Sequence, residues 1–379
     1  MIRSLLILIL ILFSAVILQS FWTQEPDKEP DFVLLRQQYE KPLDQWPAPH
    51  VDKDIAYQEW APLPAPPIWN QKDAATQAKI ALGKRLFFEP RLSASMQISC
   101  SSCHDPDMHW TDGRKKAIGS NHRIGRRHTP SLQNIWSQQL FFWDGRQDKL
   151  QQVARSPIED PNEMNTPIDT ALSHIHAIKG YRKWIQAAFG TDKMNADQLG
   201  EALSCFQQTI SSNITRFDNF LKGRGRALSD QQIWGMHLFR TKARCFNCHN
   251  GPFLTDGKFH NLGFSNYGTK NQDLGRYEVT RNNADIGTFK TPGLRDAVRT
   301  FPWFHDGRFN DISMLLNQYN AGMPQPKARS GQETDSLYPV QSPHLQPLGI
   351  TLKEREAIIR FLEALAAQPI EIERPQLPE

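Results

Sequence analysis

The sequence is short of cysteine, with five in 379 residues. That is too few for a disulfide scaffold in a chain of this length. It also lacks an excess of charge of either sign: 44 Lys and Arg stand against 40 Asp and Glu, for a net charge of +4. Such a balance makes no demand for a nucleic-acid partner. Strand signals are sparse. At 39% hydrophobic and 22% charged residues, wholesale disorder is excluded as well. The length allows two or three domains with ample core. What the chain has in plenty is proline, 26 residues, and tryptophan, ten. The prolines argue for long irregular connections. The tryptophans suit a site that handles flat rings or electrons.

Long apolar runs are also few. The notable one is Leu5 to Leu18, broken only by Ser14 and preceded by Arg3. A positive residue before a short apolar stretch reads as an export signal. No small-x-small cleavage site follows it; Gln19-Ser20-Phe21-Trp22 looks more like an interfacial aromatic anchor. Ile2 to Trp22 is 21 residues, long enough to span a bilayer. An uncleaved anchor over residues 1–24 is therefore expected, with a cleaved signal peptide as the alternative. Both place the body of the protein outside the cytoplasm, in the periplasm. Residues 25–74 read as a proline-rich linker or strap, with nine prolines between 25 and 67. Trp46, Tyr57 and Trp60 favour the strap, because a free linker has little use for them.

Four of the five cysteines fall into two copies of one motif, Cys100-Ser101-Ser102-Cys103-His104 and Cys245-Phe246-Asn247-Cys248-His249. CxxCH is the attachment signature of c-type haem: two thiols add to the porphyrin vinyl groups and the histidine binds iron. A thioredoxin-like redox pair needs neither the histidine nor a second copy. A zinc site would normally place its histidine farther along. Haem is the expectation. Cys205 sits in an apolar helical stripe with Leu199, Leu203 and Phe206 and reads as a small buried hydrophobe.

The repeat extends beyond these motifs. Leu86-Phe87 and Leu238-Phe239 precede them; Thr111-Asp112-Gly113 and Thr255-Asp256-Gly257 follow. Thr129-Pro130-Ser131-Leu132 leads to Trp143-Asp144-Gly145-Arg146, and Thr291-Pro292-Gly293-Leu294 leads to His305-Asp306-Gly307-Arg308, each with 14 residues from proline to aspartate. Matching blocks in matching order indicate duplication. The expected fold is mostly α: two cytochrome-c-like haem domains, residues 75–222 and 223–372, of short helices joined by long loops.

From about residue 75 to 367 these ordered blocks, with Phe142 to Arg146 and Pro157-Ile158 to Glu163-Met164, resemble the bacterial dihaem cytochrome c peroxidases and their MauG branch. The resemblance implies two haems with different tasks. The N-terminal one cleaves hydrogen peroxide; the C-terminal one stays six-coordinate and relays electrons. His104 and His249 would be the proximal ligands. Glu163 matches the distal acid–base carboxylate, against the bland alternative of a surface acid beside Glu159 and Asp160. Where the family commonly has a glutamine, this chain has Val153, flanked by Gln151 and Gln152. Trp143 resembles the tryptophan between the haems. Tyr319, 14 residues after His305, stands where conventional peroxidases carry a methionine ligand and the MauG branch a tyrosine. Met314 and Met323 are the alternatives.

Further positions follow from the same resemblance. His122, about two residues out of register, corresponds to a loop histidine that caps the peroxidatic iron at rest. His260 and His305 match positions near the second haem, hydrogen-bonding rather than ligating. Thr300 and Pro302 match the carbonyls of an interdomain calcium site, whose side-chain ligand is usually asparagine; here that residue is His128. The implied partners are peroxide and an electron donor, whether a small cytochrome c, a cupredoxin, quinol or a protein side chain being oxidised. A pure electron-transfer cytochrome, with both haems six-coordinate, is the alternative function.

Overall fold

The computed structural model describes residues 29–379 apart from 154, 325–327, 329, 330 and 333. The expected anchor or signal over 1–24 lies outside the described residues. Among those described, no helix is long and apolar enough to cross a membrane.

Helices of eight or more residues are α1 Phe32–Tyr39, α2 Ala74–Phe87, α3 Ile168–Ala177, α4 Arg182–Phe189, α5 Ala196–Gln207, α6 Asp230–Arg240, α7 Ile312–Asn320 and α8 Leu352–Ala364. Their starts are written locally. Asp73 accepts the Thr76 N–H at 2.8 Å to open α2. Asn195/Gln198, Ser229/Gln232 and Thr351/Glu354 form reciprocal capping boxes at α5, α6 and α8. Long loops join them, and a two-residue antiparallel pair, β1 Phe259–His260 and β2 Phe289–Lys290, is the described sheet.

Two hydrophobic clusters form. The first runs from Leu82 to Ile210; the second draws on residues from Phe217 to Leu365. Each is organised by a glycine-bearing helix pressed on a later one. A Cβ at Gly83 of α2 would lie 1.8 Å from the Ala202 carbonyl oxygen of α5, and a Cβ at Gly235 of α6 would lie 1.8 Å from that of Ala357 in α8. Only glycine permits such contact. Both glycines stand three residues before a Leu-Phe pair that enters the core, Leu86-Phe87 and Leu238-Phe239.

The chain ends cross over. The segment holding Leu35, Tyr39, Trp46 and Trp60 lies on the second cluster, although it precedes the first in sequence. Trp60 is fully buried among Phe217, Phe239, Phe246 and Phe361. Beside it the buried Arg240 pairs with Glu59, 3.0 Å from Nη2 to Oε2. At the other end, Ile372 and Leu377 pack on the first cluster, and the Gly180 N–H donates to the Glu379 carbonyl at 2.9 Å.

Candidate dihaem centre

Both CxxCH motifs fold as single tight turns, an α-turn at Cys100–Cys103 and a 3₁₀ turn at Cys245–Asn247. In the first, His104 Nδ1 lies 3.1 Å from the Trp110 carbonyl; in the second, His249 Nδ1 lies 2.9 Å from the Leu254 carbonyl. Engaging Nδ1 fixes the ring and leaves Nε2 as the nitrogen available to a metal. Burial pushes all four thiols up to about 12. They are therefore poor free nucleophiles or redox cysteines, which argues against a thioredoxin-like pair.

Both turns open onto one cavity of about 1210 Å³, lined by Cys100, Cys103, His104, Cys245, Cys248 and His249. That exceeds the ~300–1,000 Å³ of an ordinary small-molecule pocket. Two thiol pairs, two oriented imidazoles and this volume fit two c-type haems. Cys248, Asp256 and His260 also hold three donor atoms within 4.8 Å of one another. Haem attachment would consume that thiol, and His260 Nε2 is already hydrogen-bonded to Asp256 at 2.8 Å.

Glu163 lines the cavity with Val153, Pro157 and Met164, near enough to the first turn to act on both of its thiols. Burial, with Asp160 adding and Arg146 opposing, pushes its carboxyl up to about 7. The position is held through its backbone. The Ser120 N–H donates to the Glu163 carbonyl at 2.6 Å, Ser120 Oγ to that of Met164 at 3.1 Å, and the Met164 N–H to that of Pro157 at 3.0 Å. Gly119 lets this loop approach, since a Cβ there would meet the Asn162 carbonyl oxygen at 2.1 Å. Gln151 and Gln152 are exposed and off the cavity wall, so neither fills the role of the missing glutamine beside buried Val153. His122 is exposed, with φ 57°, and does not line the cavity.

Tyr319, carried by α7, lines the cavity near the second turn. Burial, with both thiols adding, pushes its phenol well above the ordinary value. Ionisation there needs a cation in the cavity, which a ferric iron would supply. Met314 is 59% exposed and Met323 is buried; neither lines the cavity, whereas Tyr319 does.

Trp143 lies on the cavity wall, gripped from both sides. Its Nε1 donates to the His128 carbonyl and its own carbonyl accepts from the Lys290 N–H, each at 2.9 Å. Next to it, burial opposes ionisation of Asp144, but Arg127 and Arg146 hold the carboxyl below its ordinary value. Lys290 donates to the Gln138 side chain and, at 2.7 Å, to the Leu140 carbonyl; burial brings its ammonium down to about 7. Lys290 was not singled out in sequence, yet a signal existed. In the repeat, His128 and Lys290 are equivalent, each one residue before Thr-Pro. His305 stacks on Phe289, centroids 3.5 Å apart, with Nε2 buried and unpartnered. Thr300 and Pro302 also line the cavity.

The fold and centre define a class, the c-type proteins that hold two haems in one chain. The comparisons specify it further. Residues 77–226 match the family model of di-haem cytochrome c peroxidase. The methylamine utilization protein MauG of Methylorubrum extorquens is 36% identical over 306 residues, 80% of this chain and 82% of that protein. A cytochrome c551 peroxidase of Nitrosomonas europaea is 38% identical over 227 residues, 60% of this chain and 68% of that one. Among solved structures, a MauG-like protein associated with microbial copper homeostasis aligns with TM-score 0.69 at 26% identity, covering 84% of this chain and 96% of the other. The chain belongs to the dihaem cytochrome c peroxidase and MauG family. It is an enzyme, a haem oxidoreductase of that type, and the family implies two c-type haems.

Proposed function

We propose that this chain reduces hydrogen peroxide at the pocket of His104, with electrons relayed through the pocket of His249, and that it follows the MauG-like branch in drawing those electrons from a protein partner. The two halves are read as products of duplication, working in the periplasm, with the leading segment as a membrane anchor. A small cytochrome c, a cupredoxin or quinol are the alternative donors. The observation that carries the reading is Glu163: one carboxyl, raised to about 7, lines the cavity near one CxxCH turn, while Tyr319 lines it near the other.

Cys100, Cys103, Cys245 and Cys248 would hold the haems, with His104, His249 and Tyr319 on the irons. The haems supply redox chemistry and the binding of peroxide oxygen. Glu163 takes a proton from the incoming peroxide and returns it to the departing oxygen, a task suited to a pKa close to working pH. Val153, Pro157 and Met164, which line the cavity with it, give its surroundings an apolar wall that keeps the carboxyl responsive. Trp143, held at both ends, keeps an aromatic ring on the cavity wall as the electron path between the pockets.

The test is stopped-flow mixing of the oxidised holoenzyme with peroxide. Glu163→Gln should slow the reaction by roughly 10²–10⁴-fold, the range for loss of general acid–base catalysis. Resting spectra should barely change. An unaltered rate would return Glu163 to the role of a surface acid.

A further inference from the structure

The calcium ion implied by the family resemblance fits poorly with the residues around His128. That side chain is 4% exposed. Its Nδ1 lies 2.8 Å from the Arg114 carbonyl. Its N–H donates to the His305 carbonyl at 2.7 Å, and its carbonyl accepts Trp143 Nε1 at 2.9 Å. The imidazole thus holds the Arg114 loop, while the main chain of the same residue ties Trp143 to the His305 segment.

Calcium collects six to eight oxygen ligands, and imidazole is not among the donors it selects. Here a buried ring, already engaged with the Arg114 carbonyl, stands where an oxygen ligand is expected. The carboxylates that bear on the ring are Asp112 and Asp306. Asp306 is committed to Arg308 at 2.6 Å. Asp112 accepts the Arg114 N–H at 3.0 Å and has a buried, unpartnered Oδ2. Among the described residues, the one cluster of three His, Cys, Asp or Glu donors close enough for an ion is Cys248, Asp256 and His260, which does not include His128.

We propose that the His128 imidazole takes the place of the calcium ion, anchoring the Arg114 loop itself, so that this chain holds no structural calcium. The repeat gives the residue a counterpart: Lys290 grips the same tryptophan from its other end. Both grips are covalent parts of the chain, and neither can be removed by a chelator. The proposal goes beyond the peroxidase reading, and it is tested without measuring peroxide turnover.

The experiment measures calcium in the purified holoenzyme by plasma emission, calcium titration by calorimetry, and melting with and without EGTA. The wild type should contain no calcium, give no binding heat and melt at the same temperature with or without chelator. His128→Asn puts an amide oxygen beside the Arg114 carbonyl. It should gain a single calcium per chain and a melting temperature that falls when EGTA is added. A wild type that retains one calcium per chain and is destabilised by EGTA overturns the proposal. So does a folded His128→Asn that binds none, because the ring would then displace nothing. If His128→Asn does not fold, His128→Gln offers the same oxygen on a longer arm, and the wild-type metal content decides by itself.

Discussion

The two CxxCH pockets are built alike on one side and unlike on the other. On the shared side, each has thiols raised to about 12 and an imidazole anchored through Nδ1. Each lies near a glycine-bearing helix seated on a carbonyl. Beyond the turns, one pocket has a loop-borne carboxyl near 7 and the other a helix-borne phenol. Residues that would hold a cofactor come from a contiguous pentapeptide. Those that would decide its chemistry arrive from afar, 59 residues after His104 and 70 after His249. Two copies of a binding turn therefore do not by themselves make two equal sites; the residues around each are supplied separately.

The largest effect expected from disturbing this contrast falls on Glu163, and pH sharpens it. With a pKa near 7, peroxide reactivity should rise through an inflection close to pH 7 as the carboxylate form grows in. Glu163→Gln should flatten that inflection as well as slow the reaction. The same shift bears on stability. The carboxyl is raised in the folded chain, so between its ordinary value of 4.5 and about 7 the folded state holds the extra proton. Its contribution to stability is thus present below 4.5 and lost as pH rises through 7. A chemical-denaturation series across that window should show a fall for the wild type that is smaller in Glu163→Gln.

Next come the two helix crossings, where the halves should behave alike. Gly83→Ala and Gly235→Ala each force a methyl to within 1.8 Å of a carbonyl oxygen unless the helices part. Overpacking of this kind costs about 1–3 kcal/mol. Circular-dichroism melts should show comparable losses for both. If one is neutral, the equivalence of the two crossings fails.

What could be read beforehand was whatever the chain writes locally. The CxxCH spacing named the four thiols and two imidazoles that line the cavity, and the family resemblance named Glu163, Trp143 and Tyr319, which line it too. The capping boxes and the Leu-Phe pairs were equally open to reading. Hidden were contacts between residues far apart in number. Nothing near Trp60 says that it packs against Phe361, nor near Glu379 that it bonds to Gly180. Gly119 looks like a loop glycine until the Asn162 carbonyl is found against it. His122 shows the converse: a position taken from alignment, about two residues out of register, is exposed and away from the cavity. Lys290 was accessible through the repeat, as the counterpart of His128, but only a burial measurement gives an ammonium group significance there.

The smallest expected change, a step from one to two, bears most directly on the difference between the pockets. If Tyr319 closes the second iron, the oxidised wild type should bind one equivalent of cyanide, at the Glu163 pocket. Tyr319→Phe removes the phenol oxygen and keeps the ring, so the wall stays packed while the ligand is lost. Neither Met314, which is exposed, nor Met323, which is buried off the cavity, is placed to replace it. The variant should therefore take up a second cyanide, read by spectral titration against haem content. Tyr319→Met, by contrast, should keep the count at one and raise the potential of that haem, because a thioether favours the reduced iron that a phenolate disfavours. A Tyr319→Phe protein that still binds a single cyanide would mean that the two pockets do not differ in the way their walls suggest.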